Sequence, residues 1–205
     1  RPGVVDPTPF LFACTAVLAA VAVFRYGVLD PIPTLRDARI EIIGDSITCG
    51  YGNDGPNGDC PFEARTENHY LTYGAISARD LDADLVTVAW SGKGIIYNYD
   101  EDKNQPMPVL YPRALPGDAQ SQWDFSQWQP HVVVINLGTN DFSTGNDPPE
   151  NVFGPAYTDL LAALRDEYPD AIIVCLPPTG LGGTDLSTAE DYITRLSVEQ
   201  PIFAG

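Results

Sequence analysis

Three short motifs carry groups able to do acyl-transfer chemistry, in the order serine, glycine, asparagine. The first, Gly44-Asp45-Ser46-Ile47-Thr48, closes the apolar run Arg39–Gly44 (RIEIIG). A serine set directly after a buried strand stands at the open edge of a sheet. Its hydroxyl can meet a substrate there, and the backbone N–H groups that follow can point at the same spot. Taken alone, it also reads as a turn or helix-capping serine. The second motif, Trp90-Ser91-Gly92-Lys93-Gly94, follows the run Asp84–Ala89 (DLVTVA). Glycine lets backbone approach a ligand and offer its N–H, although alone such a motif is a tight turn. The third, Gly138-Thr139-Asn140-Asp141, follows Val132–Leu137 (VVVINL). A side-chain amide at that place can stabilise the oxyanion of a tetrahedral intermediate, a contribution of about 2.7–4 kcal/mol per donor. Alone, Asn140 is an Asx-turn residue.

The weight comes from position: all three motifs end predicted strands. A fourth apolar run, Ala171–Leu176 (AIIVCL), reads as another buried strand. Between the strands, helical spacing runs through Tyr70–Leu81, with Leu71, Ala75, Ala78 and Leu81 on one face. It recurs through Phe153–Tyr168, and through Ser187–Val198 with Ser187 as N-cap and Glu190 three residues on. Strands alternating with helices imply a parallel sheet with helices on both faces: an α/β chain, a three-layer α/β/α sandwich of flavodoxin-like order. Ligands of such sheets bind beyond the carboxyl ends of the strands. Tyr51–Asn68 and Tyr97–Gln122, rich in Gly, Pro, Asn and Asp, read as loops over that edge.

The order GDS…SG…GTND resembles the first three blocks of the SGNH (GDSL-like) hydrolases. The longer strings IIGDSITCGYGN, TENHYLTYGAISARDLDADLVTVAWSGKG and WDFSQWQPHVVVINLGTNDF are similar to carbohydrate esterase family 2, over roughly Arg39 to Pro177. Members of that family remove acetyl groups from xylan and related polysaccharides. The resemblance implies Ser46 as nucleophile, with Gly92 and Asn140 joining the Ser46 N–H as oxyanion donors. Gly94 is a weaker substitute for Gly92. It implies an acetylated carbohydrate as substrate, a secreted or cell-surface enzyme, and no metal or organic cofactor.

The chain departs from that pattern twice. The family usually has an N-terminal β-sandwich, whereas residues 1–38 here read as an apolar segment and linker ahead of a hydrolase domain at 39–205. The family also supplies its base from a C-terminal DxxH, and no histidine follows His131. The domain is therefore expected to be incomplete at its C-terminus. Loss of the histidine from a serine triad costs about six orders of magnitude in turnover, so the chain as written is expected to show little or no esterase activity. The alternative reading is a non-catalytic carbohydrate-binding or inactive relative. His131 starts the third strand while Asn140 lies beyond its end, roughly 20 Å apart at the rise of a strand. That distance excludes His131 as the base. His69 immediately precedes the first long helix, which begins on the active edge, so it could lie on the correct side, with a helix-start or loop-packing role as the commoner reading.

With 205 residues, 44% hydrophobic and 19% charged, the chain suits one globular domain. A net charge of −17 argues against nucleic acid or an anionic membrane as partner. Phe10–Phe24 is nearly all apolar but short of the ~20 residues of a membrane span. It reads first as a buried element, then as a secretory or anchor remnant, and last as a true membrane span. Cys14, Cys49, Cys60 and Cys175 make no metal spacing, and Cys49 with Cys60 is either a local disulfide or two thiols. Gly50–Gly55 matches GxGxxG, but loop residues follow where a nucleotide site needs a helix. Trp90, Trp123, Trp128, Tyr97 and Tyr99 are candidates for a sugar-stacking surface, with core or loop packing as the commoner role.

Overall fold

The computed structural model describes residues 37–199. The apolar segment Phe10–Phe24 and Cys14 lie outside them. Four runs of β-branched residues form one parallel sheet: β1 (Arg39–Gly44), β2 (Asp84–Ala89), β3 (Val132–Asn136) and β4 (Ile172–Cys175). Their order is β2-β1-β3-β4. Ile42 lies level with Thr87 on one side and Val134 on the other, and Val134 with Val174. The chain leaves β1 outward to β2, then crosses back to β3. The gap between β1 and β3 is therefore the switch point at which such sheets open a crevice.

Alternation along the strands builds two cores. Ile40 and Ile42 of β1 join Val132 and Val134 against Tyr73, which opens helix α2 (Tyr73–Asp80). Ile43, Val133 and Ile135 face the other way. They pack on Phe153, Tyr157, Leu160 and Leu164 of α4 (Glu150–Glu167), and on Ala189 and Ile193 of α5 (Gly183–Glu199). Helices thus cover both faces of the sheet. Two further α-helices among the described residues, α1 (Ser46–Cys49) and α3 (Met107–Leu110), are single turns.

Two helix starts differ from the pattern reading. The helix expected from Tyr70 begins at Tyr73, because Asn68 caps a separate turn over His69–Leu71 and Thr72 is extended (φ −76°, ψ 159°). The Thr72 hydroxyl then accepts the Ala75 N–H at 3.3 Å, while Leu71 lies exposed. Ser187 is not an N-cap. It sits inside α5, where its hydroxyl donates back to the Thr184 carbonyl at 3.0 Å, the common use of a mid-helix serine. Gly50–Gly55 is loop, as its prolines and glycines require. Cys49, Cys60 and Cys175 are free thiols, so the candidate disulfide is not formed.

Candidate active site

Gly44 ends β1, and only glycine fits there. A β-carbon would stand 2.6 Å from Thr48 Cβ and 3.2 Å from the Asn136 carbonyl. That close approach lets α1 start immediately above the strand. Asp45 caps it, one carboxylate oxygen accepting the Ile47 N–H at 3.0 Å. Gly50, at φ +94°, ends it one turn later. Ser46 is lifted onto the sheet edge by this short device and remains half-exposed.

The loop after β3 brings Asn140 over the switch point. Its amide donates to the Lys93 carbonyl at 2.9 Å and makes a longer contact, 3.4 Å, to the second Asp45 oxygen. The loop after β2 brings Gly92, at φ +81°. No described residue accepts the Gly92 N–H. Ser46, Gly92 and Asn140 line one cleft of about 490 Å³. Ser91, Tyr51, Phe62 and Tyr99 complete its walls.

Gly94 has a different task. Its N–H donates to the Asn98 side chain at 3.3 Å, and a β-carbon there would stand 2.5 Å from Asp141 Oδ2. Asp141 is fully buried and accepts three N–H groups, from Ile95, Ile96 and Tyr97, each at 2.8 Å. The fourth residue of the GTND motif therefore clamps the 94–97 loop. Sequence pattern does not carry this, because the partners lie more than forty positions away.

Two buried carboxyls underlie the cleft. Burial pushes Asp45 up to about 7, and the nearby Asp141 charge adds to the rise while the Ile47 N–H opposes it. Burial raises Asp141 to about 6 against the pull of its three N–H donors. Beside the cleft, the Ser91 hydroxyl donates a hydrogen bond to Glu67. The Cys49 thiol lies against the same hydroxyl, and burial pushes it up.

Neither histidine is hydrogen-bonded to Ser46. His131 Nδ1 accepts the Arg39 N–H at 3.1 Å, at the opposite end of the sheet. The His69 ring pairs with the Thr87 hydroxyl at 2.9 Å, below the strand ends. Of the five candidate stacking aromatics, Tyr99 lines the cleft. Trp123 and Trp128 line a separate cavity of about 270 Å³. Tyr97 lies under the Lys103 ammonium, 4.6 Å from the ring centre, and Lys93 stands 5.8 Å from Trp90. Tyr51 and Phe62, with ring centres 5.4 Å apart and planes tilted by 36°, are cleft aromatics that sequence pattern misses. Both sit in irregular loop with no period to read.

A parallel sheet that presents a serine, a glycine and an asparagine from three adjacent strand ends defines a GDSL-type hydrolase scaffold. The GDSL-like lipase/acylhydrolase family model matches residues 42–200, and the chain belongs to that family. It is 43% identical over 176 residues to the cellulase/esterase CelE of Acetivibrio thermocellus, covering 84% of this chain and 21% of that protein. It is 34% identical over 167 residues to an acetylxylan esterase/glucomannan deacetylase of Cellvibrio japonicus, covering 80% and 46%. A family two carbohydrate esterase from Clostridium thermocellum, solved in complex with cellohexaose, superposes with a TM-score of 0.76 at 42% identity. That match covers 84% of this chain and 52% of the other. The chain thus spans between about a fifth and about half of the length of these relatives. Among the described residues, no helix is long and apolar enough to cross a membrane.

Proposed function

We propose that this chain is a serine esterase that removes acetyl groups from carbohydrate. The observation that carries the reading is the shared cleft of Ser46, Gly92 and Asn140. The Ser46 oxygen attacks the acetyl carbonyl carbon, and the carbonyl π electrons move onto oxygen. The N–H groups of Ser46 and Gly92 and the Asn140 amide take up that charge. Of the two Asn140 contacts, the longer one to Asp45 is the one that yields to substrate. Collapse of the intermediate expels the sugar oxygen, and water then hydrolyses the acetyl-serine. For the step to balance, the serine proton must pass to a general base and from it to the departing sugar oxygen, and among the described residues neither histidine is bonded to Ser46.

Relatives named acetylxylan esterase and glucomannan deacetylase support a polysaccharide substrate, and Tyr99, exposed at the cleft wall, gives a pyranose ring a face to stack on. The same relatives support action outside the cell, since acetylated plant polysaccharide is found there. The test is acetate release from p-nitrophenyl acetate and from acetylated xylan. Release far below that of a complete serine triad is expected from the chain as written, and Ser46→Ala is expected to abolish what release there is from both; release that survives the substitution would overturn the assignment.

A further inference from the structure

The residues Trp90 to Lys93 form a closed turn, with the Lys93 N–H donating to the Trp90 carbonyl at 3.2 Å and Gly92 left-handed at its third position. In turns of this geometry the soft element is the central peptide, here Ser91–Gly92. Counter-rotation on either side reverses it, converting a turn with a left-handed third residue into one without. The reversal decides what faces the cleft. One orientation offers the Gly92 N–H to an oxyanion; the other offers the Ser91 carbonyl, which repels it. Glycine at 92 permits both backbone states and so selects neither.

The selecting contact comes from elsewhere in the chain. The Ser91 hydroxyl donates to Glu67, 24 residues earlier. Glu67 is itself braced: its N–H donates to the Ala64 carbonyl at 3.2 Å, and the Asn68 N–H that follows donates to the Gly50 carbonyl at 3.0 Å. The carboxylate thus arrives from a segment tied to the end of α1, the helix that Ser46 opens. On the far side of the turn, the Gly92 carbonyl is taken by the Tyr99 N–H at 2.8 Å. With the residue after the peptide pinned there, the handles left are the Ser91 side chain, held by Glu67, and the Ser91 N–H, which faces the Cys49 thiol. We infer that Glu67 is a positioning residue: it holds the Ser91–Gly92 peptide with its N–H turned to the Ser46 cleft. The inference rests on the reading of Gly92 as an oxyanion donor, and it names the residue that keeps the donor aimed.

The test compares the full chain with Glu67→Ala, Ser91→Ala and Glu67→Gln, which keeps an acceptor oxygen and removes the charge. The first readout is the Gly92 amide signal in a ¹⁵N-labelled sample. The second is affinity for methylboronic acid, whose boron takes the Ser46 oxygen and becomes tetrahedral. Glu67→Ala and Ser91→Ala are expected to shift or broaden the Gly92 signal, to leave the sheet amides in place, and to weaken boronate binding by about tenfold or more. Glu67→Gln is expected to restore both. A Gly92 signal and a boronate affinity unchanged in Glu67→Ala would overturn the inference, as would a Gln variant indistinguishable from the Ala variant. Boronate that binds wild type and Ser46→Ala equally sinks the nucleophile assignment instead, and the Gly92 signal still decides the turn.

Discussion

Gly92 and Gly94 stand two positions apart and answer to different constraints. Gly92 needs a left-handed backbone, and a β-carbon there would meet Tyr99 Cβ at an ordinary 3.6 Å, so Gly92→Ala strains the turn by about 1–2 kcal/mol through its backbone angle. It is expected to lower kcat more than Tm. Gly94 has no such angle but is hemmed in by Asp141 and by the Tyr97 carbonyl. Gly94→Ala is expected to cost about 1–3 kcal/mol of stability, read as a fall in Tm, by forcing the clamp apart. Ser46, Gly92 and Asn140 are legible from their motifs, since each follows an apolar run of strand length. The motifs do not separate the two glycines, because the choice depends on a carboxylate folded against one of them. The buried carboxyls also set a pH dependence. Each binds its proton more tightly folded than unfolded, so the folded state gains relative stability when they are protonated. Stability is expected to fall as pH rises from about 4 to about 7 for Asp45, and to about 6 for Asp141. Thermal melts at pH 5 and pH 8 check this, and Asp45→Asn is expected to flatten the difference.

At the level of elements, strands are easier to read than helix starts. β1 and β2 fall where continuous apolar runs place them, and β3 and β4 lie within theirs. Strands buried on both faces need only apolar residues. Helix starts depend on which polar side chain wins a cap, and Thr72 and Ser187 each resolve against the simplest reading. Two buried strand residues, Glu41 and Asn136, break the apolar rule. Glu41, in β1, is 2% exposed, and burial raises its carboxyl. The Tyr111 hydroxyl donates to one of its oxygens at 2.7 Å, while the other has no partner among the described residues. Tyr111→Phe removes that donor and is expected to cost about 1–3 kcal/mol. The loss should be larger at pH 8 than at pH 5, because the ionised form depends on the donor most; chemical denaturation at both values measures it.

For the molecule as a whole, charge is the dominant long-range fact. The net charge is −17, and the ion pairs among the described residues, Arg65–Glu63 and Arg195–Glu150, are exposed. Exposed pairs contribute little, so self-repulsion is mostly uncompensated. Tm is expected to rise between low and physiological salt, where the screening length shortens to about 8 Å. A Tm insensitive to sodium chloride would show the charges to be spread too widely to matter. Sheet class is legible because alternation of strands and helices leaves few topologies. The makeup of the cleft walls is not, because Tyr51 and Phe62 reach it from irregular loop.

The strand order has a further consequence. Serine, glycine and asparagine hang from three neighbouring rails, β1, β2 and β3, whose separation is fixed by hydrogen bonding at about 4.8 Å. Reactive spacing is therefore gauged first by the backbone lattice, and the loops aim the donors and set what is admitted. Lengthening or trading residues 51–62, with Glu67 and the turn that braces it kept, should retune which polymer is accepted while leaving the attacking atom and its electrostatic cradle in calibration.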